Sequence, residues 1–167
     1  SVLISQSYQN LSSVYNSFKN EQLELFYLKK AEDYGTKLNK EQLGLLYGDI
    51  GLMLLRQEHF NDAFTYFKKS EVLSNKYKSI RLNYFTIRNF GEYYNSKNDY
   101  NTAIMYYEDA LKLSDSLNDT FQKDDLLYIL SGVYLNNNNF SKALYYGNQA
   151  LSLAKKIDSD EMLHLIL

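Results

Sequence analysis

The chain has 167 residues, 45% of them hydrophobic and 23% charged, so it can bury a core and is not expected to be intrinsically disordered. It contains no cysteine, no proline and two histidines, which excludes disulfide scaffolds and zinc sites of the Cys/His type. Eighteen Lys and Arg residues against twenty Asp and Glu give a net charge of -2, so we expect no nucleic acid to bind this segment.

The sequence shows no sign of a membrane span or a targeting segment. Its apolar runs stay below the ~18 residues that a membrane-spanning helix requires, so we expect no membrane insertion in this segment. Residues 1–5 lack both an initiator methionine and the charged start of a signal peptide. We therefore expect the chain to be a piece of a longer protein, whose compartment the composition leaves open.

The spacing of the apolar residues predicts helices throughout, because proline is absent and glycine occurs only seven times. The sequence also repeats itself at an offset of 40 residues. This offset aligns three alanines with one another and, three positions earlier, three aromatic residues: Ala63, Ala103 and Ala143 with Phe60, Tyr100 and Phe140. The predicted fold class is therefore all-α, built from helical hairpins with a period of about 40 residues.

In chain order, the repeats divide one continuous domain into four hairpins and the start of a fifth. The first hairpin, 1–38, is degenerate, because Glu21 and Glu24 stand where later copies carry the aromatic residue and the alanine. The remaining hairpins are assigned to 39–78, 79–118 and 119–158, and the fifth begins within 159–167.

Polar turns are predicted to separate the two helices of each hairpin. The last residue of each later turn, Asn61, Asn101 or Ser141, is predicted to be the N-cap of the second helix. Weaker stops between hairpins are expected around 75–76, 115–119 and 158–160.

These residues resemble the pattern of the tetratricopeptide repeat family. The pattern sets an aromatic residue, Leu-Gly, Tyr, Ala, Phe and Ala at fixed spacing. It is met by Tyr47, Ile50, Gly51, Leu54, Ala63, Phe67 and Ser70; by Ile87, Phe90, Gly91, Tyr94, Ala103, Tyr107 and Ala110; and by Leu127, Leu130, Ser131, Tyr134, Ala143 and Ala150. The chain departs from the pattern in lacking its proline, in carrying Gly147 where a large apolar residue is usual, and in its longer period.

The resemblance implies a right-handed superhelical solenoid whose concave face is lined by the first helices of the hairpins. It implies non-catalytic binding of a protein or peptide on that face, with no cofactor and no metal. Two further readings stay open: a domain that senses a peptide pheromone within a regulator, and a structural module that oligomerises through its ends.

The segments between hairpins are also similar to the repeat arrays of bacterial regulators, such as AraC-type helix-turn-helix proteins and sensor histidine kinases. This similarity implies a module of a larger signalling or regulatory protein. Its compartment would be the bacterial cytoplasm or periplasm.

The residues offer little for catalysis, which requires a nucleophile, an acid or base, or a metal to converge at one place. His59 lies in a polar turn and His164 near the end of the chain, far apart in an extended repeat array. The acidic clusters at 32–33, 124–125 and 158–161 are explained as helix starts or solvated faces. We therefore expect no enzyme activity.

The candidate ligand-binding residues lie at steps of three or four along the first helices, as the family implies. They are Asp49, Leu52 and Arg56; Arg88, Asn89, Glu92 and Asn95; and Tyr128 and Asn136, with Gln9, Ser13, Asn16 and Gly132 on the same face. Asn89 and Asn95 are expected to bridge to a peptide backbone, and Arg88 to hold a carboxylate. Asp49 departs from the basic clamp by which chaperone-tail binders of this family hold a carboxylate, so such ligands are not expected.

The last residues, 162–167, are nearly all apolar, whereas the end of a solenoid normally carries a polar face. We expect the parent protein to complete a fifth hairpin. In this chain the segment is expected to dock on the fourth hairpin or to pair with a neighbouring molecule as a homo-oligomer.

Overall fold

The computed structural model describes the backbone of residues 1–117 and 119–166, and the side chains of those residues up to 158. Within these residues the chain forms eight α-helices and no strand, which confirms the all-α prediction. The helices are α1 (Val2–Ser17), α2 (Glu21–Asp33), α3 (Lys40–Arg56), α4 (Phe60–Tyr77), α5 (Ile80–Ser96), α6 (Tyr100–Leu117), α7 (Thr120–Asn136) and α8 (Phe140–Ile166). A short 3-10 helix, Gly35–Lys37, separates α2 from α3.

The helices form two compact units, Ser1–Tyr93 and Tyr94–Leu167. In unit 1, α1 packs against α2, α3 packs against α4, and α2 also contacts α3. In unit 2, α7 packs against both α6 and α8. Among the described residues, none of these helices is long and apolar enough to cross a membrane.

Small residues allow the helices of a hairpin to approach closely. Ala63 has no exposed surface, and a Cβ atom placed on Gly51 would lie 2.4 Å from the ring of Phe67. Phe67 is itself fully buried and meets the ring of Phe90 edge-on, with centroids 5.9 Å apart. Large side chains of the core therefore pack against the small residues of the repeat pattern.

Stacked tyrosine pairs recur along the chain, and each pair joins the first helix of a hairpin to the second. The ring centroids lie 5.2–5.4 Å apart with planes within 9° of parallel in Tyr15–Tyr27, Tyr94–Tyr106 and Tyr134–Tyr146. In the second hairpin Leu54 replaces the tyrosine of the first helix. The ring centroid of Tyr66 there lies 5.9 Å from that of Tyr47. The pairs explain six of the 17 tyrosines as packing residues.

The turns within the hairpins share one backbone conformation. The residue that precedes each N-cap has a positive φ, between 54° and 61°, at Lys19, Glu58, Asn98 and Asn138. The predicted N-caps Asn61, Asn101 and Ser141 are wrong, because α4, α6 and α8 begin with the aromatic residue that precedes each of them.

In each of these turns the observed N-cap residue lies two positions before the predicted one. Asp99 and Asn139 accept hydrogen bonds from the backbone N–H groups of Thr102 and Lys142, respectively, and His59 makes no side-chain cap. The left-handed residue turns the chain so sharply that the next residue already caps the helix.

α8 continues through residues 158–160, where the sequence predicted a stop. The side chains of the predicted fifth repeat, 159–167, including His164 and the apolar segment 162–167, lie outside the described residues. The oligomer expected from that segment stays a prediction.

Candidate binding site on the first-helix face

A cavity of about 330 Å³ lies between α1, α2 and α3 in unit 1, and we call it the α1–α3 cavity. Its walls are Gln9, Asn10, Ser12, Ser13 and Asn16 from α1, Glu24 and Leu28 from α2, and Asp49, Leu52, Met53 and Arg56 from α3. Eight of these eleven side chains are polar or charged. A wall of this composition suits a polar ligand group.

A second cavity of about 250 Å³, the α3–α5 cavity, lies on the same face of unit 1. It is lined by Gly44, Leu45, Gly48, Asp49 and Leu52 from α3, Ser70 from α4, and Arg81, Phe85, Arg88 and Asn89 from α5. Asp49 and Leu52 line both cavities, so the two cavities adjoin along α3. We call the surface that contains both cavities the first-helix face of unit 1.

Glu24 is the most buried charged residue in the α1–α3 cavity. It is 7% exposed, and its carboxylate lies 3.8 Å from the guanidinium of Arg56. Burial raises the pKa of Glu24 above its ordinary value, the positive charge of Arg56 lowers it, and Glu21 raises it again. The ion pair is too long for a hydrogen bond, so Arg56 compensates the buried charge only in part.

Asp49 lies at the junction of the two cavities. Its side chain is open to solvent through the cavity mouths, yet the protein walls around the carboxylate leave it poorly hydrated. The pKa of Asp49 is raised to about 6: desolvation is the largest cause, the nearby charge of Glu24 also raises it, and Arg56 lowers it. Glu24 and Asp49 are thus close enough to interact electrostatically.

The structure brings several of the predicted site residues together. Asp49, Leu52 and Arg56 meet Gln9, Ser13 and Asn16 around the α1–α3 cavity. Arg88 and Asn89 line the α3–α5 cavity with Asp49 and Leu52. Whether these residues hold a ligand stays a prediction.

Asn89 is more enclosed than a peptide-bridging residue was expected to be. It is 4% exposed, and its Nδ2 atom lies 2.7 Å from where a Cβ atom on Gly48 would stand. The missing side chain of Gly48 is what leaves room for the Asn89 amide, which therefore packs against α3.

Other predicted site residues lie elsewhere. Glu92 on α5 is half-buried in unit 1. In unit 2, Asn95 is half-buried, Tyr128 is 73% exposed on α7, and Asn136 is exposed at the last position of α7.

Unit 2 also holds a more apolar cavity of about 370 Å³ lined by Leu135, Phe140, Leu144 and Gly147, among others. Gly147 stands where the pattern calls for a large side chain, and this departure helps to leave the space open.

Glu24 and Ser12 are cavity residues that sequence reasoning did not select. Glu24 was visible as a departure from the repeat, since the later hairpins carry alanine at this position. Ser12 occupies a small-residue position of a first helix, which gave no reason to assign it to a site.

A family model described as a tetratricopeptide repeat matches residues 89–116. Residues 89–116 are thus similar to one tetratricopeptide repeat. The match covers the sequence in which the repeat pattern is most complete, including Gly91, Tyr94, Ala103 and Tyr107. A comparison with curated proteins finds no match.

Solved structures with the same fold cover nearly the whole chain. One is a signal transduction ATPase from Pyrococcus horikoshii with a tetratricopeptide repeat sensor; it is 18% identical with a TM-score of 0.83, over 92% of this chain and 24% of that one. A Rap protein in complex with competence and sporulation factor is 18% identical with a TM-score of 0.85, over 97% of this chain and 46% of that one.

A third relative in structure is the Rap conjugation gene regulator of the plasmid pLS20, in complex with a Phr peptide. It is 16% identical with a TM-score of 0.84, over 94% of this chain and 43% of that one. The chain thus spans less than half the length of these three proteins. At these identities the likeness shows the fold, which is the helical-repeat solenoid of tetratricopeptide proteins.

Proposed function

We propose that the chain is a non-catalytic module that binds a peptide or an extended segment of a partner protein. The observation that carries this proposal is the pair of adjoining cavities, α1–α3 and α3–α5, on the first-helix face of unit 1. Polar side chains line them at several successive helical turns, which suits a ligand that runs along α3 with its backbone exposed.

Two features make binding a better account of this face than catalysis. The described residues include no group of three His, Cys, Asp or Glu side chains placed to hold a metal ion. The residues that line the α1–α3 cavity include no histidine, cysteine or lysine, and its charged groups are two carboxylates and an arginine. The coarser description as a binding module therefore fits the site, and the absence of activity is part of the proposal.

We further propose that the module belongs to a larger regulatory protein and that its ligand is a signalling peptide. One structural relative is a Rap protein in complex with a Phr peptide, another is a Rap protein in complex with competence and sporulation factor, and a third is a signal transduction ATPase with a tetratricopeptide repeat sensor. The sequence itself is similar to repeat arrays of bacterial regulators. These likenesses favour the peptide-sensing alternative over a purely structural role.

Selection of short peptides from a displayed random library against this chain tests the proposal. We expect enriched peptides to bind the wild type and to lose affinity for Leu52→Ala and Arg88→Ala. Val72→Ala is the control, because Val72 is 62% exposed on α4 and lies outside both cavities. Failure to enrich any peptide, or equal loss of affinity in the control, would contradict the proposal.

A further inference from the structure

We propose that the α1–α3 cavity is a subsite for a positively charged group of the ligand, an ammonium or guanidinium held by Glu24, Asp49 and Ser12. This inference rests on the proposed function, since it names the chemistry that the binding face recognises. The repeat fold alone does not imply this subsite, because the first hairpin carries Glu24 where the later hairpins carry alanine.

The charge of the cavity favours a cation. Glu24 and Asp49 contribute two carboxylates, and Arg56 is the one basic residue among the eleven that line the cavity. Arg56 is half exposed and its ion pair with Glu24 measures 3.8 Å, so it can turn toward solvent when another cation enters. The remaining excess of negative charge disfavours an anionic group such as a C-terminal carboxylate.

The cavity also presents hydrogen-bond acceptors from two residues that are otherwise buried. Ser12 is 3% exposed and lines the cavity with its hydroxyl-bearing side chain. Glu24, 7% exposed, lines it too, and its carboxylate lies 3.8 Å from Arg56. Oxygens of both side chains can therefore accept hydrogen bonds from a ligand that enters the cavity.

The donors of an ammonium or guanidinium match the acceptors of this wall. An ammonium group carries three N–H donors and a guanidinium carries five, and neither has an acceptor. Two carboxylates and one hydroxyl provide acceptors from three different helices, α1, α2 and α3. The volume of about 330 Å³ is at the small end for a ligand pocket, which suits one side chain or one chain terminus of a peptide.

Three probes of nearly equal shape distinguish the sources of the charge. Nα-acetyl-lysine methylamide carries a side-chain ammonium, norleucine methylamide carries an α-ammonium, and Nα-acetyl-norleucine methylamide carries neither. Each is titrated to millimolar concentration into ¹⁵N-labelled protein while the backbone amide signals of Ser12, Glu24, Asp49 and Arg56 are followed. We expect the signals to shift with a charged probe and to stay unchanged with the neutral one, and the charged probe that binds identifies the source.

Glu24→Gln tests the carboxylate without changing the shape of the side chain. We expect it to weaken binding of the charged probe about tenfold, the effect of losing one charge-assisted hydrogen bond. Asp33→Asn is the matched control, because it removes the same charge from α2 at a side chain that is 63% exposed and lies outside the cavity. Asp49→Asn provides a second variant of the site should Glu24→Gln perturb the fold.

Equal shifts with the neutral probe, no shift with either charged probe, or full affinity in both site variants would overturn the subsite. These outcomes differ from failure of the proposed function. If selected peptides bind the first-helix face but contain no cation and are indifferent to Glu24→Gln, the function stands and the subsite falls. If charged probes occupy the cavity while no peptide is enriched, the subsite stands and the peptide function falls.

Discussion

Glu24 of α2 lies 3.8 Å from Arg56 of α3, at a position where the three later hairpins carry an alanine. Those alanines are 0–7% exposed and allow close helix packing. The first hairpin instead places a carboxylate between α1, α2 and α3, beside a cavity lined with polar side chains. Glu24 departs from the repeat at a packing position, and the charge of its buried carboxylate is only partly compensated. A role in ligand binding is the explanation that we favour for such a residue.

Replacing Glu24 with alanine should therefore stabilise the fold. A buried, incompletely paired carboxylate costs more than the alanine that the other hairpins use, so we expect Glu24→Ala to raise the free energy of unfolding by about 1 kcal/mol or more. Urea denaturation followed by circular dichroism measures the change. Glu21→Ala, an exposed residue in the first turn of α2, should change stability by less than about 0.5 kcal/mol. Destabilisation by Glu24→Ala would show that the Arg56 pair is a structural requirement.

The carboxylate of Asp49 should make stability depend on pH between about 6 and 3.8. Its raised pKa means that the folded state holds the proton more tightly than the unfolded chain, so the unfavourable contribution is complete above pH 6 and disappears as the pH falls toward 3.8. We expect Asp49→Asn to raise the melting temperature near neutral pH and to match the wild type in acid. Thermal melts of both proteins across this range test the sign, and a gain that is independent of pH would contradict it.

Two glycines of the first helices should respond to alanine in opposite directions. A Cβ atom on Gly51 would lie 2.4 Å from the buried ring of Phe67, whereas one on Gly132 would meet no atom within 4 Å. We expect Gly51→Ala to lower the free energy of unfolding by about 1 to 3 kcal/mol through overpacking. Gly132→Ala should raise it by about 0.5 to 1 kcal/mol, because alanine is the better helix former. Equal responses would show that α3 and α4 are less closely packed than described.

The repeat period predicted much of the fold because it depends on the same close contacts in every hairpin. Small residues recur at the positions of Ala63 and Gly51 for that reason, and both residues are buried as the pattern requires, as is Phe67. The same period placed Asp49, Leu52 and Arg56 on one face, and the structure gathers them around one cavity. Residues at regular steps along a helix lie on the same side, so the shared position of these three residues could be predicted, and their role in binding stays a prediction.

What the period could not predict depends on departures from it and on neighbouring helices. Glu24 lines the cavity at a position where the repeat pattern expects alanine. The pattern therefore gave no indication that this residue belongs to the candidate site. The burial of Asn89 depends on the missing side chain of Gly48 on another helix. The N-caps were misplaced because the left-handed residues Asn98 and Asn138 end each turn earlier than its polar composition suggests.

The turn between α3 and α4 offers a direct test of this backbone conformation. Glu58 has a φ of 61°, while the equivalent turns of the third and fourth hairpins place Asn98 and Asn138 there. Asparagine tolerates the left-handed region better than glutamate, so we expect Glu58→Asn to raise the free energy of unfolding by about 0.5 kcal/mol or more. Glu58→Ala, which retains the Cβ atom without the local hydrogen bonding of asparagine, should give no such gain. Chemical denaturation of the two variants separates these outcomes.

The most direct test of the binding account is to locate a bound peptide on the protein. A peptide enriched in the library selection is given a nitroxide label at one end and added to ¹⁵N-labelled protein, and the broadening of each backbone amide signal is measured. We expect strong broadening at Gln9, Ser13 and Leu52, which line the α1–α3 cavity. Broadening centred instead on Val72 and its neighbours on the exposed side of α4 would contradict it.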